Sequence, residues 1–250
     1  MTIFLMILAI IVGSLVSLVG GILLLRVKKR RQAALLLTMP FGAGALLAAA
    51  FFDLLPEAFE EADPATMLIY CLVGFIGFFL FERLASWFHH HHRHEDENKS
   101  KNISQRWLII LGDLIHNVID GVAIGAAFLV SIPTGIITTF AVSAHEIPKE
   151  LGTFALLLTR GWKDKTVVVA NLATALGTVM AAVVIYVLAK DSHEFVPPLL
   201  ALTSGFFLYV AASDIIPDIH EQPQKIGSIQ AAMLVVGIVL VGSVIMLLGV

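Results

Sequence analysis

Two stretches of this chain place groups capable of chemistry inside otherwise apolar runs. The first is Gly112-Asp113-Leu114-Ile115-His116-Asn117-Val118-Ile119-Asp120-Gly121, and the second is Ala144-His145-Glu146-Ile147-Pro148-Lys149-Glu150-Leu151-Gly152. On a helix His116 and Asp120 are four apart and Asn117 and Asp120 three apart, so the three share a face, which Asp113 extends by one turn. In the second stretch His145 and Lys149 are four apart, Glu146 falls beside them, and Glu150 lies one turn beyond Glu146. Imidazoles and carboxylates converging from two helices suit a divalent cation of the Zn, Fe, Mn or Cd type rather than Mg or Ca. Pro148 removes a backbone donor, which frees the Ala144 carbonyl and predicts a bend beside His145.

The elements that must position these groups are membrane helices. Of 250 residues 58% are hydrophobic and 14% charged, with a mean hydropathy of +0.91, a balance that excludes an ordinary water-soluble domain. A spanning helix needs roughly 20 mostly apolar residues. Hydropathy resolves eight such runs, at 2–25, 34–57, 66–88, 106–130, 133–159, 165–189, 196–217 and 226–249. Short connections make them one all-α membrane domain over 1–250, in a lipid bilayer. The first run lacks a basic leader and keeps the charge pattern in phase, so it reads as a membrane helix rather than a cleaved signal. Apart from Lys149 and Lys190, the sixteen basic residues fall on or beside alternate connections, which puts both termini on the extracytoplasmic side. The net charge of −3 reflects this topology and points to no nucleic-acid partner. Cys71 is the single cysteine and excludes an intrachain disulfide.

His116 is ten residues into the fourth run and His145 twelve into the fifth, which runs the opposite way. Both therefore lie roughly 15–18 Å into a hydrocarbon core about 30 Å thick, and the motifs meet near the midplane. Ionisable groups at that depth are costly and usually pair, bind or carry something. The second run ends Asp53-Leu54-Leu55-Pro56-Glu57, and the seventh ends Asp214-Ile215-Ile216-Pro217-Asp218 followed by His220. The same acid-x-x-Pro-acid element thus ends helices of opposite direction, one acidic mouth for each compartment, as in transporters built from inverted repeats around a midplane site. Gly42, Gly44 and the small residues at 45–50 predict close helix packing along the second run. Asn171 is the polar midspan group of the sixth run. Between the third and fourth runs, residues 89–105 form a polar cytoplasmic loop containing His89, His90, His91, His92 and His94, too polar to fold alone and able to contact divalent metal weakly.

These residues resemble the ZIP (Zrt/Irt-like) divalent metal transporter family. The resemblance rests on His116-Asn117-x-x-Asp120-Gly121, His145-Glu146-Ile147-Pro148-x-Glu150-Leu151-Gly152, Asp214-x-x-Pro217, the end of the second run, the eight spans and the histidine-rich loop. It implies uptake of zinc, or of iron, manganese or cadmium, into the cytoplasm, with no enzymatic activity and no bound cofactor. By resemblance His116, Asn117, Asp120, His145 and Glu146 are the metal-binding positions, and Asn171 corresponds to a polar position that some relatives use. The resemblance further implies an elevator-like movement of one helix set and a homodimer. A compact form of this kind favours a prokaryotic plasma (inner) membrane.

Three positions depart from the family pattern. Lys149 stands where many relatives have a second-metal ligand, Asp53 where histidine is frequent, and Thr153 where aspartate is common. An ammonium at 149 can neutralise Glu146 or Asp120 and occupy the place of a second cation, which predicts a single-metal site. The alternative is a Lys149 that releases a proton as metal binds. Two rival functions share parts of this pattern. An intramembrane metalloprotease would need a second imidazole at 149, and a proton-coupled carrier of another substrate would share the acidic mouths.

Overall fold

A computed structural model describes residues 1–26, 28–90, 99–159 and 161–248, which contain helices and no strand. The helices are α1 (Thr2–Arg26), α2 (Lys28–Ala49), α3 (Leu55–Glu61), α4 (Pro64–His90) and α5 (Lys99–Val130), then α6 (Ile132–Thr159), α7 (Asp164–Ala189), α8 (Val196–Val210), α9 (Ile216–Glu221) and α10 (Gln224–Leu248). By length and composition, seven helical segments among the described residues can cross a membrane. The eighth long rod is α6, whose middle carries His145, Glu146, Lys149 and Glu150.

Helices run further than hydropathy predicts. Residues 28–31 and 99–105 were expected in connections, yet they begin α2 and α5. Once an apolar segment has nucleated a helix, each added residue gains a backbone hydrogen bond, so polar extensions propagate readily. His91, His92 and His94 lie outside the described residues, as do the side chains of His89, His90, Pro148 and Asp214.

The acid-x-x-Pro-acid repeats share a backbone form. A π-helical turn, Ala50–Leu54, joins α2 to α3, and another, Ala211–Ile215, joins α8 to α9. In each the wide turn closes through an i→i+5 bond, Leu55 N–H to the Ala50 carbonyl and Ile216 N–H to the Ala211 carbonyl. Pro56 and Pro217 sit just inside α3 and α9. A proline there withholds the N–H that a regular ladder needs, and one widened turn restores the pairing. The second rod consequently reaches Glu61 rather than stopping at 57.

Large apolar side chains face outward along several helices, and a run of small ones on α2 faces inward. Leu68, Ile69, Leu72 and Val73 of α4 are exposed, as are Leu176 and Met180 of α7 and Val239 and Met246 of α10. Ala43, Ala45, Ala48, Ala49 and Ala50 are fully buried. This is the pattern of helices solvated by lipid and packed through small residues. A side chain at Gly44 would run into the Leu234 carbonyl of α10, and one at Gly205 into the Cys71 carbonyl of α4. The closest partnerships are α5 with α7, α2 with α10, α4 with α8 and α1 with α6.

Connections use specific chemistry. The Gly161 N–H donates to the Leu158 carbonyl and the Trp162 N–H to the Leu157 carbonyl, with Gly161 at φ 83°, a glycine stop for α6. Asp63 caps α4, its Oδ2 accepting from the Thr66 N–H at 2.9 Å and the Thr66 hydroxyl at 2.8 Å. These bonds hold the Asp63 carboxyl below its usual range. The cap is therefore intact above the ordinary carboxylate pKa and is lost as pH falls through the lowered value.

Candidate metal centre

Near the middle of α5 and α6, three metal-ligating side chains converge. The Nε2 atoms of His116 and His145 are 3.2 Å apart, and Asp120 Oδ2 lies 3.5 Å from the first and 3.8 Å from the second. Three donors bound to one tetrahedral ion at about 2.0–2.1 Å stand roughly 3.3 Å from one another. The triangle is close to that size.

Its electrostatics point the same way. Asp120 is fully buried, and neither carboxylate oxygen has a hydrogen-bond partner. A lone carboxylate in a low-dielectric interior is costly unless a cation meets it. The paired imidazoles supply lone pairs toward the same point, and two of them with one carboxylate leave a fourth position open for water or another donor.

Of the two carboxylates expected as alternatives for Lys149, Glu146 is a partner and Asp120 is not. The Lys149 ammonium lies 3.0 Å from Glu146 Oε1 and 3.2 Å from Asp113 Oδ1, so Asp113 is the second carboxylate. The reason is reach along α5: Asp113 lies two turns before Asp120 and faces Lys149, while Asp120 faces the imidazoles. Glu146 is thereby held by the lysine beside the donor triangle rather than within it. Asn117 also stands beside it. Its amide donates to the Asp113 carbonyl at 2.9 Å, and its Oδ1 accepts from the Thr178 hydroxyl at 3.0 Å.

Thr174 and Thr178 were not singled out by sequence, because threonines are unremarkable in a membrane helix. The Thr174 hydroxyl donates to Asp113 Oδ2 at 2.7 Å, so both Asp113 oxygens are satisfied. The backbone carbonyl of Asn171, one turn away, accepts from Thr174 at 2.9 Å, and Asn171 lines a pocket with Glu150. The usable signal was the spacing Asn171, Thr174, Thr178, which is one helical stripe.

Two further contacts fix the histidines. Phe78 of α4 and Phe206 of α8 meet the His116 ring edge-on, at centroid distances of 5.7 and 5.8 Å. On the other side α2 approaches the backbone that carries His145. A Cβ on Gly42 would lie 2.8 Å from the His145 Cα and 3.0 Å from the Ala144 carbonyl oxygen, so only glycine admits this approach. The helix α6 is continuous through Pro148.

Of the outer acids, Asp53 is 3% exposed with Oδ2 unpartnered, and its hydrogen-bond partner is Thr134 near the start of α6. Asp53 thus stands at the same end of the bundle as the α6 N-terminus. Glu57 and Asp218 belong to α3 and α9, and His220 is exposed on α9.

Known proteins resemble this chain throughout its length. A family model described as ZIP Zinc transporter matches residues 2–106 and 91–248. Zinc transporter ZIP10 of Danio rerio is 44% identical over 112 residues, 45% of this chain and 13% of that protein. Zinc transporter ZIP4 of Homo sapiens is 44% identical over 111 residues, covering 44% of this chain and 17% of that protein. Zinc transporter ZIP13 of Pongo abelii is 30% identical over 213 residues, covering 78% of this chain and 62% of that protein. The matched segments thus span less than two thirds of these relatives. Because the family model takes in nearly every residue, including both stretches that carry the candidate ligands, the chain belongs to the ZIP zinc transporter family.

Proposed function

We propose that this protein moves a divalent transition-metal ion, zinc first, across a membrane into the cytoplasm through a single-metal site of His116, Asp120 and His145. The observation that carries the proposal is the fully buried Asp120 carboxylate, without a hydrogen-bond partner, facing two imidazole nitrogens 3.2 Å apart. That donor set suits zinc and, with lower preference, iron, manganese or cadmium. Glu146 and Asn117, metal-binding positions by the family resemblance, stand beside this triangle, with Glu146 engaged by Lys149. Asp53 and Glu57 form one mouth; Asp214, Asp218 and His220 form the other, and the histidine-rich loop collects metal.

Lys149 makes the site mononuclear. Its ammonium takes up two carboxylates, Asp113 and Glu146, that would otherwise be free for a second divalent ion. A fixed positive charge beside the donor triangle weakens ion binding by repulsion and so favours release. The ZIP10, ZIP4 and ZIP13 relatives are zinc transporters by name, which supports transport over proteolysis, as does an ion-paired Glu146 that is no free general base.

The test is reconstitution in liposomes with zinc and cadmium uptake, beside metal counting on the purified protein. Saturable zinc flux lost in His145→Ala, with one metal bound per chain, is the expected result. Two metals in the unmodified protein would reject the mononuclear site, and no divalent flux under either pH gradient would reject transport.

A further inference from the structure

A groove on the outside of the bundle takes no part in the site described so far. It is a cavity of about 660 Å³ between α1, α2 and α6, walled by Leu8, Val12 and Val16 of α1, Ile136 and Phe140 of α6, and Phe41 of α2. Leu8, Val12 and Val16 are four residues apart and form one stripe of α1. The walls on α1 and α6 are about half exposed, whereas the floor is made of small residues, Ala9, Gly13, Ser143 and Ala144. Bulky walls over a small-residue floor make a furrow rather than a smooth lipid-facing surface.

Its length, chemistry and volume specify the occupant. The lining runs from Leu5 to Val16 on α1 and from Ile136 to Ile147 on α6, eleven residues in each case, so the groove is about 17 Å long. That is close to half of a hydrocarbon core about 30 Å thick, the depth of one leaflet. The hydroxyls in the lining are already used. Thr139 donates to the Gly135 carbonyl and Ser143 to the Thr139 carbonyl, each at 2.7 Å, and Thr38 has a partner of its own. An occupant therefore finds no side-chain hydroxyl waiting for a polar group. A helix about 10 Å across would fill roughly twice this volume over the same length, whereas a hydrocarbon chain is slender enough to enter. An empty groove would forfeit dispersion contacts along every wall.

We propose that this groove is a lipid site, holding an acyl chain of a membrane phospholipid from the leaflet in which α1 begins. The chain lies along the seam between α2 and the α1–α6 pair. Phe41 in its wall precedes Gly42, whose backbone meets Ala144 and His145, and Ala144 in its floor precedes His145. The lipid thus fills the space beside the turn that carries an imidazole without touching the donors themselves. The site is independent of which ion the imidazoles carry.

The probe is phosphatidylcholine with a photoreactive group at mid-chain, diluted into phosphatidylcholine vesicles that contain the full chain, with adducts mapped by peptide mass spectrometry. Lipid that merely bathes the surface labels every exposed apolar position alike. Met180 of α7 and Val239 of α10, at least as exposed as Val12, report that background. Labelling of the α1 and α6 groove residues about tenfold above those two positions is the expected result. Two variants fill the groove, Ala9→Phe from its floor and Val12→Phe from its rim, and the second adds bulk where no core packing is disturbed. Each should bring groove labelling down to the background while leaving Met180 and Val239 labelled as before, a pattern that misfolding would not give. Groove labelling no greater than background in the unmodified protein overturns the site, as does enriched labelling that ignores both substitutions. Labelling below background would also overturn it, since that result means another protein surface covers the groove.

Discussion

At the scale of single residues, the site is defined by which carboxylates are satisfied and which are not. Asp113 has a partner on each oxygen, Lys149 and Thr174, whereas Asp120 has no hydrogen-bond partner on either. The first is held by a lysine and a hydroxyl, and the second is the carboxylate on which the proposed metal site rests. Replacing Lys149 by Gln strands Asp113 and Glu146, and breaking a buried ion pair from one side costs about 3–5 kcal/mol. The purified variant should therefore melt lower in the absence of metal and regain stability with excess zinc, as a second ion takes the lysine's place. Lys149→Glu should go further and raise bound zinc from one to two per chain, read by elemental analysis. Thr174→Val leaves an Asp113 oxygen short of a donor, a loss of about 1–3 kcal/mol. Thermal unfolding should register that loss while the imidazole pair still binds zinc.

At the scale of elements, two devices bring α5 and α6 into register with their surroundings. Gly42 lets the α2 backbone settle against the turn that carries His145. Gly42→Val forces those backbones apart, and overpacking of this kind costs about 1–3 kcal/mol. Because the displaced atoms include the His145 Cα, zinc affinity should fall by roughly tenfold in a competition titration, beyond any change in thermal stability. The π-helical turn is the second device. It widens the helix before Pro56 and so sets the direction of Asp53 toward Thr134. Pro56→Ala restores the missing N–H, and returning a widened turn to regular α geometry turns the following side chains by about 100°. Zinc uptake should drop severalfold at low external zinc, with the purified protein binding zinc as tightly as before; unchanged uptake would remove Asp53 from the path.

At the scale of the whole molecule, the candidate donors sit on one group of helices and the aromatic rings against His116 on another. The donors are on α5 and α6, which pack with α7 and α1, while Phe78 and Phe206 come from the α4 and α8 pair. A site carried entirely by one group can travel with it, which is what an elevator-like movement requires. Gly13 and Ser143 test whether α1 moves with α6. A Cβ on Gly13 would lie 3.4 Å from the Ser143 Cβ, near the separation a disulfide spans. With Cys71 replaced by Ser, the Gly13→Cys and Ser143→Cys pair should crosslink with flux retained within about twofold, since an unstrained bridge of this geometry adds no barrier to a joint movement. Flux abolished by oxidation and restored by reductant would show that α1 and α6 must slide past one another.

The class of protein was legible without coordinates, and so was the grouping of the candidate ligands on shared helix faces. Hydropathy and helical spacing are local properties, and His116 with Asp120 at i,i+4 needs only a helix to share a face. The acid-x-x-Pro-acid repeats were legible for the same reason, although the π turns that accompany them were not, because a proline states which donor is missing and not how the backbone compensates. Tertiary structure decided the rest. Spacing along α6 could offer Lys149 the nearby Glu146, but whether its other partner on α5 is Asp120 or Asp113 depends on the axial offset between two helices, which no single segment encodes. The same holds for Thr174 and Thr178 against Asp113 and Asn117, for the Phe78 and Phe206 edges on His116, and for Gly42 against His145. Each is a contact between rods distant in sequence, fixed by packing over their whole lengths rather than by the residues that meet.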